Sequence, residues 1–320
     1  MRILQVSDRP GWAIDRLSKP IALKYPTEVE MSYLNSKPDR FIASGYSKQE
    51  EVVQYSNELG NQFDVVHFHH YGGVNKLVGG LNKNIKKVLT IHTERADDLN
   101  QDFSNFDVLI APTKHSFAIL KQKHSNVVFV PYGIDLSRFK YLFGDRPDKN
   151  VGFVGRIMKH KRFEIVLKAC MDIGFKLIGC GYVDQSEYYY KYIKEAEQKG
   201  LVDYIHLLPE GNMQEIYNKM FVYICLSEPN VETGPLPVLE AMACGVPIIS
   251  TEVGWIKDWG TNGNNYIRIK EEDVNNLDEL IMQLWADKLF RNKLVSNGLR
   301  LVQDFGVDKY VDNLMEVYNK

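Results

Sequence analysis

Short apolar runs alternate with helical patterns along almost the whole chain, and this alternation restricts the possible folds more than any other sequence feature. The runs are rich in Val, Ile and Leu, as expected of strands that are buried on both faces. Successive parallel strands need a crossover helix between them, so the pattern predicts an α/β protein with helix-covered parallel sheets. The predicted strands are Arg2–Val6, Asp64–Phe68, Lys87–Ile91, Asp107–Ala111, Val127–Val130, Val151–Val154, Lys176–Ile178, Tyr204–Leu208, Phe221–Cys225 and Pro247–Ser250. The predicted helices are Lys48–Leu59, Lys114–Lys123, Phe163–Met171, Glu187–Lys199, Met213–Met220, Val274–Ala286, Leu289–Gln303 and Asp308–Tyr318.

The pattern divides into two similar halves. A chain of 320 residues is long enough for two domains. The polar stretch Arg138–Asn150 precedes a fresh strand, so we predict that it links the domains. We expect Rossmann-like parallel-sheet domains over 1–145 and 146–305, with ligands bound at strand C-terminal ends that face a cleft. A helix within 306–320 should pack back toward the first domain.

Composition indicates which kinds of binding partner and which cellular compartment to expect. The net charge is −2, with a slightly basic first half and a slightly acidic second half, which argues against nucleic acid as a partner. The four cysteines form no C-x-x-C pair and lie in apolar runs, which is typical of reduced core residues in a cytoplasmic protein. The first residues predict a strand and not a signal peptide, and no apolar run has the length of a membrane span.

The segment Trp12–Tyr25 is basic and partly amphipathic, and it suggests weak peripheral contact with a membrane face. Pro20 should interrupt a helix there, which favours a solvated surface segment instead.

The stretch Cys225–Thr251 carries the strongest functional signal. Pro237 suits a first helical position, Gly245 suits the left-handed residue after the last turn, and the residues between them are almost all apolar. Glu240 lies in the first turn of this buried helix and needs a partner there, while Glu232 lies in the preceding loop. Two carboxylates beside the amides of a helix N-terminus predict a phosphorylated, hydroxyl-rich ligand.

A basic cluster follows the first strand of the second half. Arg156 comes directly after the predicted strand and Gly155, and Lys161 precedes the next helix. Cations at such a position suit a diphosphate. The neighbouring basic residues Lys159, His160 and Arg162 leave open that the whole turn is a solvated surface.

Histidines follow two predicted strands of the first half. His67, His69 and His70 could bind a metal, but adjacent positions on a strand point to opposite faces, so no more than two could share an ion. We therefore favour polar lining of the cleft, with no metal. His92 also follows a strand and is expected either to face the cleft or to be a satisfied structural histidine.

The lack of a glycine motif after the first strand argues against one class of Rossmann protein. The first strand is followed by SDRPGWA and not by G-x-G-x-x-G, so a nicotinamide dehydrogenase is disfavoured. The lone Gly179-Cys180-Gly181 after a later strand is a weak signal that suits a tight turn.

These segments match the motifs of one enzyme family in the family's order. DVVHFHH and VLTIHTE resemble its strands that end in His, VLIAPTKHSFAIL its strand that leads into a capped helix, VVFVPYGIDLSRF its signature before the linker, VGFVGRIMKHK its G-R-x4-K motif and ETGPLPVLE its Glu-x7-Glu motif. On these motifs the chain resembles the family 4 glycosyltransferases, which have the GT-B architecture.

The resemblance implies a function. The chain would be a retaining hexosyltransferase that moves a sugar from UDP or GDP to a glycan, lipid-linked or small-molecule acceptor, with no metal or other cofactor. The resemblance implies a front-face, ion-pair-like step, and it assigns no residue as a protein nucleophile.

The resemblance also assigns roles to residues. Glu232 would bind donor-sugar hydroxyls, Glu240 the ribose, and Arg156 and Lys161 the leaving diphosphate, while His92 would contact the sugar near the reaction centre. The donor site would include Gly155, Gly234, Pro235 and Leu236. Arg9, Gly11 and His69 would serve the acceptor.

The chain departs from the family pattern at two places. Asp8-Arg9-Pro10-Gly11 stands where the family often has a glycine-rich loop, and Arg162 stands where it usually has glycine after the lysine. Other functions stay open: an inactive sugar-nucleotide or glycan-binding module, and an inverting transferase with Asp8 or His92 as base. A phosphorylase would need a longer chain and a pyridoxal-bearing lysine.

Overall fold

The computed structural model describes residues 1–7, 15–33, 62–69, 78–142, 149–181, 186–206 and 213–320. The predicted helix Lys48–Leu59, the predicted acceptor residues Arg9 and Gly11, His70 and the predicted domain boundary at 145/146 lie outside these residues.

Strands and helices alternate as the apolar pattern predicts. The strands are β1 (Ile3–Ser7), β2 (Val29–Tyr33), β3 (Val65–Phe68), β4 (Lys86–Thr90), β5 (Val108–Ala111), β6 (Val127–Phe129), β7 (Asn150–Val154), β8 (Lys176–Gly181), β9 (Val202–His206), β10 (Val222–Cys225), β11 (Ile248–Ser250) and β12 (Ile267–Arg268). The helices are α1 (Asp15–Lys24), α2 (Ala96–Leu99), α3 (Lys114–Lys121), α4 (Phe163–Ile173), α5 (Ser186–Tyr192), α6 (Lys194–Gln198), α7 (Met213–Asn218), α8 (Leu236–Ala243), α9 (Ile256–Trp259), α10 (Leu277–Ala286), α11 (Lys288–Val302) and α12 (Val307–Asn319). Short 3₁₀ turns cover Lys159–Lys161, Glu271–Asn276 and Gln303–Phe305.

The chain forms two compact units. Unit 1 comprises Met1–Gly133 and Val307–Lys320, and unit 2 comprises Ile134–Gly306. The chain therefore leaves unit 1, builds unit 2 without interruption and returns to unit 1 for its last helix.

Unit 1 contains a parallel sheet in the order β2-β1-β3-β4-β5-β6. Its central strands are buried on both faces, and Val66, Phe68, Val88 and Leu89 are completely buried. Burial on both faces is what crossover helices impose on a parallel sheet. The carboxyl ends of β1, β3 and β4 consequently meet at one edge of unit 1.

Helix α12 belongs to unit 1 although it follows unit 2 in the sequence. Its buried residues recur every three or four positions, at Tyr310, Val311, Leu314, Val317 and Tyr318. That spacing places them on one helical face. The helix thus completes the core of unit 1.

Helix α1 continues through Pro20, so our expectation of an interrupted, solvated segment is wrong within Asp15–Lys24. Leu17 and Ile21 lie one turn apart and are buried. A proline inside a helix costs about 3 kcal/mol, and full burial of each aliphatic side chain contributes about 1.5–3 kcal/mol. Burial of the apolar face therefore offsets the missing hydrogen bond.

Unit 2 contains a parallel sheet in the order β12-β11-β10-β7-β8-β9. Successive strands are added on one side of β7 as far as β9, and the chain then crosses to the other side with β10. This is the strand order of a doubly wound Rossmann sheet, whose ligand site lies at the carboxyl ends of the strands where the order reverses. In unit 2 that point lies between β7 and β10.

Helix α8 has the buried character that the sequence predicts. Apart from Pro237, every residue from Leu236 to Ala243 is buried. Gly245 has a φ of 68°, which confirms the predicted left-handed residue after the helix. Pro237 is the second helical residue, one position later than expected. Glu240 lies in the second turn, one turn later than expected.

Candidate active site

The loops that follow β7 and β10 meet at the reversal point of the unit 2 sheet. The N–H of Gly155 extends the pairing of β7 with β8 by donating to the Cys180 carbonyl at 2.9 Å. Arg156 follows and is exposed, and the 3₁₀ turn ends at Lys161. The Glu228 N–H donates to the His160 carbonyl at 2.9 Å, which joins this turn to the loop after β10.

A lysine and a carboxylate predicted to bind the same ligand contact each other at this place. Lys161 Nζ lies 2.5 Å from Glu232 Oε1. His160 Nε2 lies 3.4 Å from the same oxygen, and the Ser227 hydroxyl donates to it at 3.5 Å. Both side chains of the Lys161–Glu232 pair are mostly buried, so their mutual attraction is screened less than on an open surface.

The pKa of Glu232 reflects this environment. Burial by itself raises the pKa of the carboxyl, but the charge of Lys161 and the hydrogen bonds from His160 and Lys161 lower it more. The pKa of Glu232 therefore lies well below its ordinary value, and the group is a carboxylate at neutral pH. A charged acceptor at a sheet edge suits a ligand with several hydroxyl groups.

Gly254 supports the backbone of the Glu232 loop from behind. A Cβ atom at this glycine would lie 2.4 Å from the Thr233 carbonyl oxygen and 2.8 Å from that of Glu232. The next residue, Trp255, donates its N–H to the Thr233 carbonyl at 3.1 Å. The loop is consequently held at a distance that only glycine permits.

Arg162 adopts a backbone conformation that explains the family's preference for glycine. Its φ is 53°, in the left-handed region that side chains with a Cβ seldom occupy. Its Nη2 pairs with Glu271, whereas its Nη1 is buried without a hydrogen-bond partner among the described residues. The turn after Lys161 is therefore built at the expense of local strain.

Glu240 lies deeper in unit 2 than Glu232. Its side chain is buried and accepts a hydrogen bond from the Tyr217 hydroxyl at 2.6 Å. The Tyr217 ring packs edge-on against Phe139, at 5.9 Å between ring centroids. The carboxylate of Glu240 thus has the partner that a buried charge needs, and Tyr217 fixes its orientation.

The loop from Glu232 leads directly into helix α8. Gly234 is partly buried, while Pro235 and Leu236 are buried. The N-cap residue of α8, Pro235, makes no side-chain hydrogen bond to the helix, and no acidic residue lies in the first turn of α8. The positive end of the helix dipole is therefore not neutralised by an acidic side chain of this turn.

A groove of about 520 Å³ opens beside the Glu232 loop. Its charged residues are of both signs and contact one another: Arg268 lies 3.3 Å from Glu252 and Lys270 lies 3.7 Å from Glu272. Because the charges balance, the groove has the character of a polar binding surface rather than of an anion site.

Three histidines of unit 1, His67, His69 and His92, form a hydrogen-bonded cluster that is largely buried. His67 bonds to Tyr318 at 2.5 Å and to Thr90 at 2.7 Å through its two ring nitrogens. His69 is completely buried and lies 3.2 Å from His92. The structure therefore places His69 behind His92, in a supporting position rather than on the surface that an acceptor would touch.

His92 lies at the rim of this cluster and is only partly buried. Its Nδ1 lies 2.6 Å from the Tyr132 hydroxyl, with the two rings stacked at 5.5 Å. The loop that carries it is anchored by Glu94, which accepts a hydrogen bond from Thr113, the residue that caps α3, at 2.7 Å. A rigid loop thus fixes the position of the His92 ring.

The described ranges contain neither a metal-binding cluster nor a membrane-spanning helix. No cluster of three or more His, Cys, Asp or Glu side chains there has the arrangement of a metal site. None of the helices in those ranges combines the length and the apolar character that crossing a bilayer requires. The four cysteines are all buried free thiols.

A sequence profile of the family "Glycosyl transferases group 1" matches residues 134–300, just over half of the chain. The chain belongs to this glycosyltransferase family. The glycosyltransferase is 29% identical over 275 residues to an uncharacterised glycosyltransferase of Methanocaldococcus jannaschii, covering 80% of this chain and 75% of that one. It is 22% identical over 317 residues to a D-inositol 3-phosphate glycosyltransferase of Salinispora arenicola, covering 83% and 70% of the two chains.

Solved structures show the fold of the glycosyltransferase. HepE from Anabaena, crystallised with UDP and glucose, superposes with a TM-score of 0.82 at 15% identity over the full length of both chains. The predicted GT-B architecture with two Rossmann-like sheets is thereby confirmed.

The sequence did not indicate several residues that contact the predicted ones. The sequence places His160 only in a basic turn and does not indicate that Tyr217, Gly254, Tyr132 or Tyr318 contacts a predicted residue. Their contacts join segments that are distant in sequence, and no single-chain motif encodes such pairs. The left-handed Arg162 is different, because its departure from the family's glycine was visible in the sequence.

Proposed function

We propose that this glycosyltransferase moves a hexose from a nucleoside diphosphate sugar, with retention of configuration and without a metal ion. The Lys161–Glu232 contact of 2.5 Å between the loops after β7 and β10 carries this proposal. It combines a phosphate-binding group and a hydroxyl-binding group at the reversal point of a Rossmann sheet.

Lys161 and Arg156 are proposed to bind the diphosphate. Negative charge develops on the leaving diphosphate as the glycosidic bond breaks, so fixed positive charge there stabilises the transition state. The amide of Leu236 at the start of α8 adds a further donor, whereas Pro235 and Pro237 have no N–H to offer. Together these groups supply the positive charge that a metal would otherwise provide.

Glu232 is proposed to bind donor-sugar hydroxyls. The carboxylate of Glu232 is held by Lys161 and His160 in the structure. A diphosphate competes for Lys161, so donor binding would transfer the lysine to phosphate and leave a carboxylate oxygen to accept sugar hydroxyls. His92 is proposed to contact a sugar of the substrate.

Glu240 is proposed to hold the ribose of the donor. Tyr217 occupies one carboxylate oxygen of Glu240 at 2.6 Å and thereby orients the group. An oriented carboxylate is well suited to the two adjacent hydroxyls of a ribose.

We expect UDP or GDP as the nucleotide, and UDP is supported by the UDP and glucose in the crystals of HepE. The acceptor is proposed to be a glycan, a lipid-linked sugar or a small molecule. A lipid-linked acceptor would agree with weak membrane contact through α1, where Lys19 and Leu23 are exposed one turn apart.

Thermal unfolding with candidate donors tests the nucleotide assignment. UDP, GDP, ADP and their common sugars are added separately, because a ligand that binds only the native protein raises its unfolding temperature. One nucleotide should raise the temperature in a concentration-dependent way, and a matching sugar nucleotide should be hydrolysed or transferred in EDTA. Strict dependence on an added divalent ion would contradict the metal-free mechanism.

Substitutions separate a transferase from an inactive binding module. Glu232→Ala should abolish transfer and leave nucleotide affinity nearly unchanged, whereas Lys161→Ala should weaken nucleotide binding severalfold in calorimetry. Lys159→Ala, in the same turn, serves as the control for loss of a positive charge. A native protein that binds sugar nucleotides but transfers nothing with any acceptor would support the binding module.

A further inference from the structure

The Gln5 side chain lies at the centre of the buried cluster in unit 1 and gives its hydrogen bonds a direction. It presents its amide nitrogen to the Tyr318 hydroxyl at 2.7 Å and its oxygen to His69 Nε2 at 2.6 Å. A carbonyl oxygen only accepts, so His69 must carry its proton on Nε2. Burial is the main cause that lowers the pKa of His69 well below its ordinary value, and the electrostatic effect of nearby His67 is the second. The His69 ring is therefore neutral. His69 Nδ1 is therefore an acceptor.

The order of donors and acceptors continues from His69 to His92. Since His69 Nδ1 accepts, the contact of 3.2 Å to His92 Nε2 requires the proton on the His92 side. In the neutral form of His92, Nδ1 then has a lone pair to which the Tyr132 hydroxyl can donate across the 2.6 Å contact. Every hydrogen bond along this path has one donor and one acceptor.

Tyr318 keeps the Gln5 amide in this orientation. The phenol accepts from Gln5 and uses its own proton for His67 Nδ1 at 2.5 Å, and His67 Nε2 then donates to Thr90 at 2.7 Å. Without the phenol, the Gln5 N–H group would be buried without an acceptor. A rotation of the amide by half a turn would then direct its nitrogen at His69 and reverse every proton along the path.

We propose that Tyr318 is a positioning residue that sets the hydrogen-bonding polarity of His92, so that Nδ1 of His92 is an acceptor for a hydroxyl of a bound sugar. His92 Nε2 contacts the completely buried His69, and its Nδ1 contacts the hydroxyl of the buried Tyr132. A sugar hydroxyl would replace the Tyr132 hydroxyl there and donate its proton to Nδ1. This assignment rests on the proposed contact of His92 with a sugar, and it requires a sugar with a free hydroxyl at that position.

Nitrogen-15 NMR of the full chain, labelled at histidine, tests the polarity directly. Long-range proton–nitrogen correlations distinguish the two neutral forms of each ring, and His92→Gln identifies the His92 signals. We expect His92 in the Nε2–H form in the native protein. In Tyr318→Phe we expect its signals to move toward the Nδ1–H form or to an average of the two. A native His92 that is protonated on Nδ1, or a Tyr318→Phe spectrum with unchanged His92 signals, overturns the proposal.

Tyr310→Phe is the matched control. Tyr310 lies on the same helix with similar burial, but its hydroxyl has no hydrogen-bond partner among the described residues. This variant should leave the His92 signals unchanged. If Tyr318→Phe does not fold, the spectrum of the native protein alone decides, because it shows which nitrogen of His92 carries the proton.

Kinetics connects the polarity to transfer. Tyr318→Phe should lower kcat about tenfold, the lower end of what loss of an outer-shell partner costs at metal-bound histidines, with nucleotide affinity unchanged. Tyr310→Phe should keep the native kcat. Native kcat in a Tyr318→Phe protein whose His92 signals have moved would overturn the link to catalysis. If no transfer is detected in the native protein, the proposed function fails, while the NMR result still decides the polarity of His92.

Discussion

Arg162 shows how one residue can determine the geometry of a site that it does not line. It is the residue between the turn that carries Lys161 and helix α4, and its left-handed φ of 53° reverses the chain there. A residue with a Cβ pays about 1–2 kcal/mol in this region. The ion pair with Glu271 provides only partial compensation, because Nη1 of Arg162 is buried without a partner in the described structure.

Comparison of Arg162→Gly with Arg162→Ala isolates this strain. Both variants lose the Glu271 ion pair, but only alanine keeps the Cβ, so we expect Arg162→Gly to be the more stable by about 1 kcal/mol. Denaturant unfolding measures the difference. At the exposed Lys168 inside α4 the order should be reversed, because alanine exceeds glycine there by about 1 kcal/mol. The same order at both positions would show that the Arg162 backbone is unstrained.

The lowered pKa of Glu232 makes its contribution to stability depend on pH. A carboxyl whose folded pKa lies below its unfolded value of about 4.5 stabilises the protein fully above that value, and the contribution is lost as pH falls through the folded pKa. Glu232→Gln should therefore lower the free energy of unfolding at pH 7, and the deficit should shrink below about pH 4.5. Urea unfolding between pH 7 and pH 3 measures both quantities.

Glu195→Gln is the control for that experiment. Glu195 pairs with Lys199 on an exposed helical surface, where an ion pair contributes less than about 1 kcal/mol. Its loss should change the unfolding free energy little at any pH. A deficit for Glu232→Gln that stays constant from pH 7 to pH 3 would contradict the lowered pKa.

At the scale of elements, the short segment after β11 determines where the loop after β10 lies. Gly254 has a φ of 50° and its backbone touches the backbone of Glu232 and Thr233. The contact is between two backbones, so neither side can yield by a change of rotamer. The position of the Glu232 carboxylate consequently depends on a residue with no side chain.

Gly254→Ala should therefore reduce activity as well as stability. The new Cβ would lie 2.4 Å from the Thr233 oxygen, so the loop must move and the Lys161–Glu232 geometry with it. Gly263→Ala is the matched control, since its φ is 70° and a Cβ there meets nothing within 4 Å. Both variants should lose about 1–2 kcal/mol of stability from left-handed strain. Only Gly254→Ala should lose most of its transfer rate, and equal rates in the two variants would contradict the supporting role of Gly254.

The elements that the sequence predicts are those with strong local signals. All ten predicted strands occur, because buried parallel strands are continuous apolar runs. Strand β2 has the mixed composition VEMSY and β12 pairs through only two residues, so neither differs from a loop in the sequence. The predicted helix Glu187–Lys199 is divided into α5 and α6 at Ile193, with no glycine or proline to indicate the break.

The candidate site was predictable only where its residues carry a local sequence signal. Arg156, Lys161, Glu232 and Glu240 could be proposed because each lies in a motif of fixed spacing. The contact of Lys161 with Glu232 depends on the strand order of unit 2, which places β7 beside β10. Strand order is decided by the packing of the whole unit, and local sequence does not encode it.

At the scale of the whole molecule, the candidate donor residues of the motifs after β7 and β10 all belong to unit 2. Hydrogen exchange of the full chain with and without UDP tests this division. Bound nucleotide should slow exchange in 155–161 and in 232–243, while the amides of β3 in unit 1 should exchange as before. A nucleotide that gives no thermal stabilisation serves as the control. Protection confined to unit 1 would contradict the assignment.

The return of α12 to unit 1 has a consequence for synthesis on the ribosome. Unit 2 is one continuous segment and can fold as soon as it has emerged, whereas the sheet of unit 1, made first, lacks its last helix until residues 307–320 arrive. Until then, Gln5 and His67 have no phenol to bond, and the apolar face that α12 covers stays exposed. The half of the protein that is translated first is therefore completed last, and a nascent chain stalled in unit 2 exposes a surface that chaperones bind.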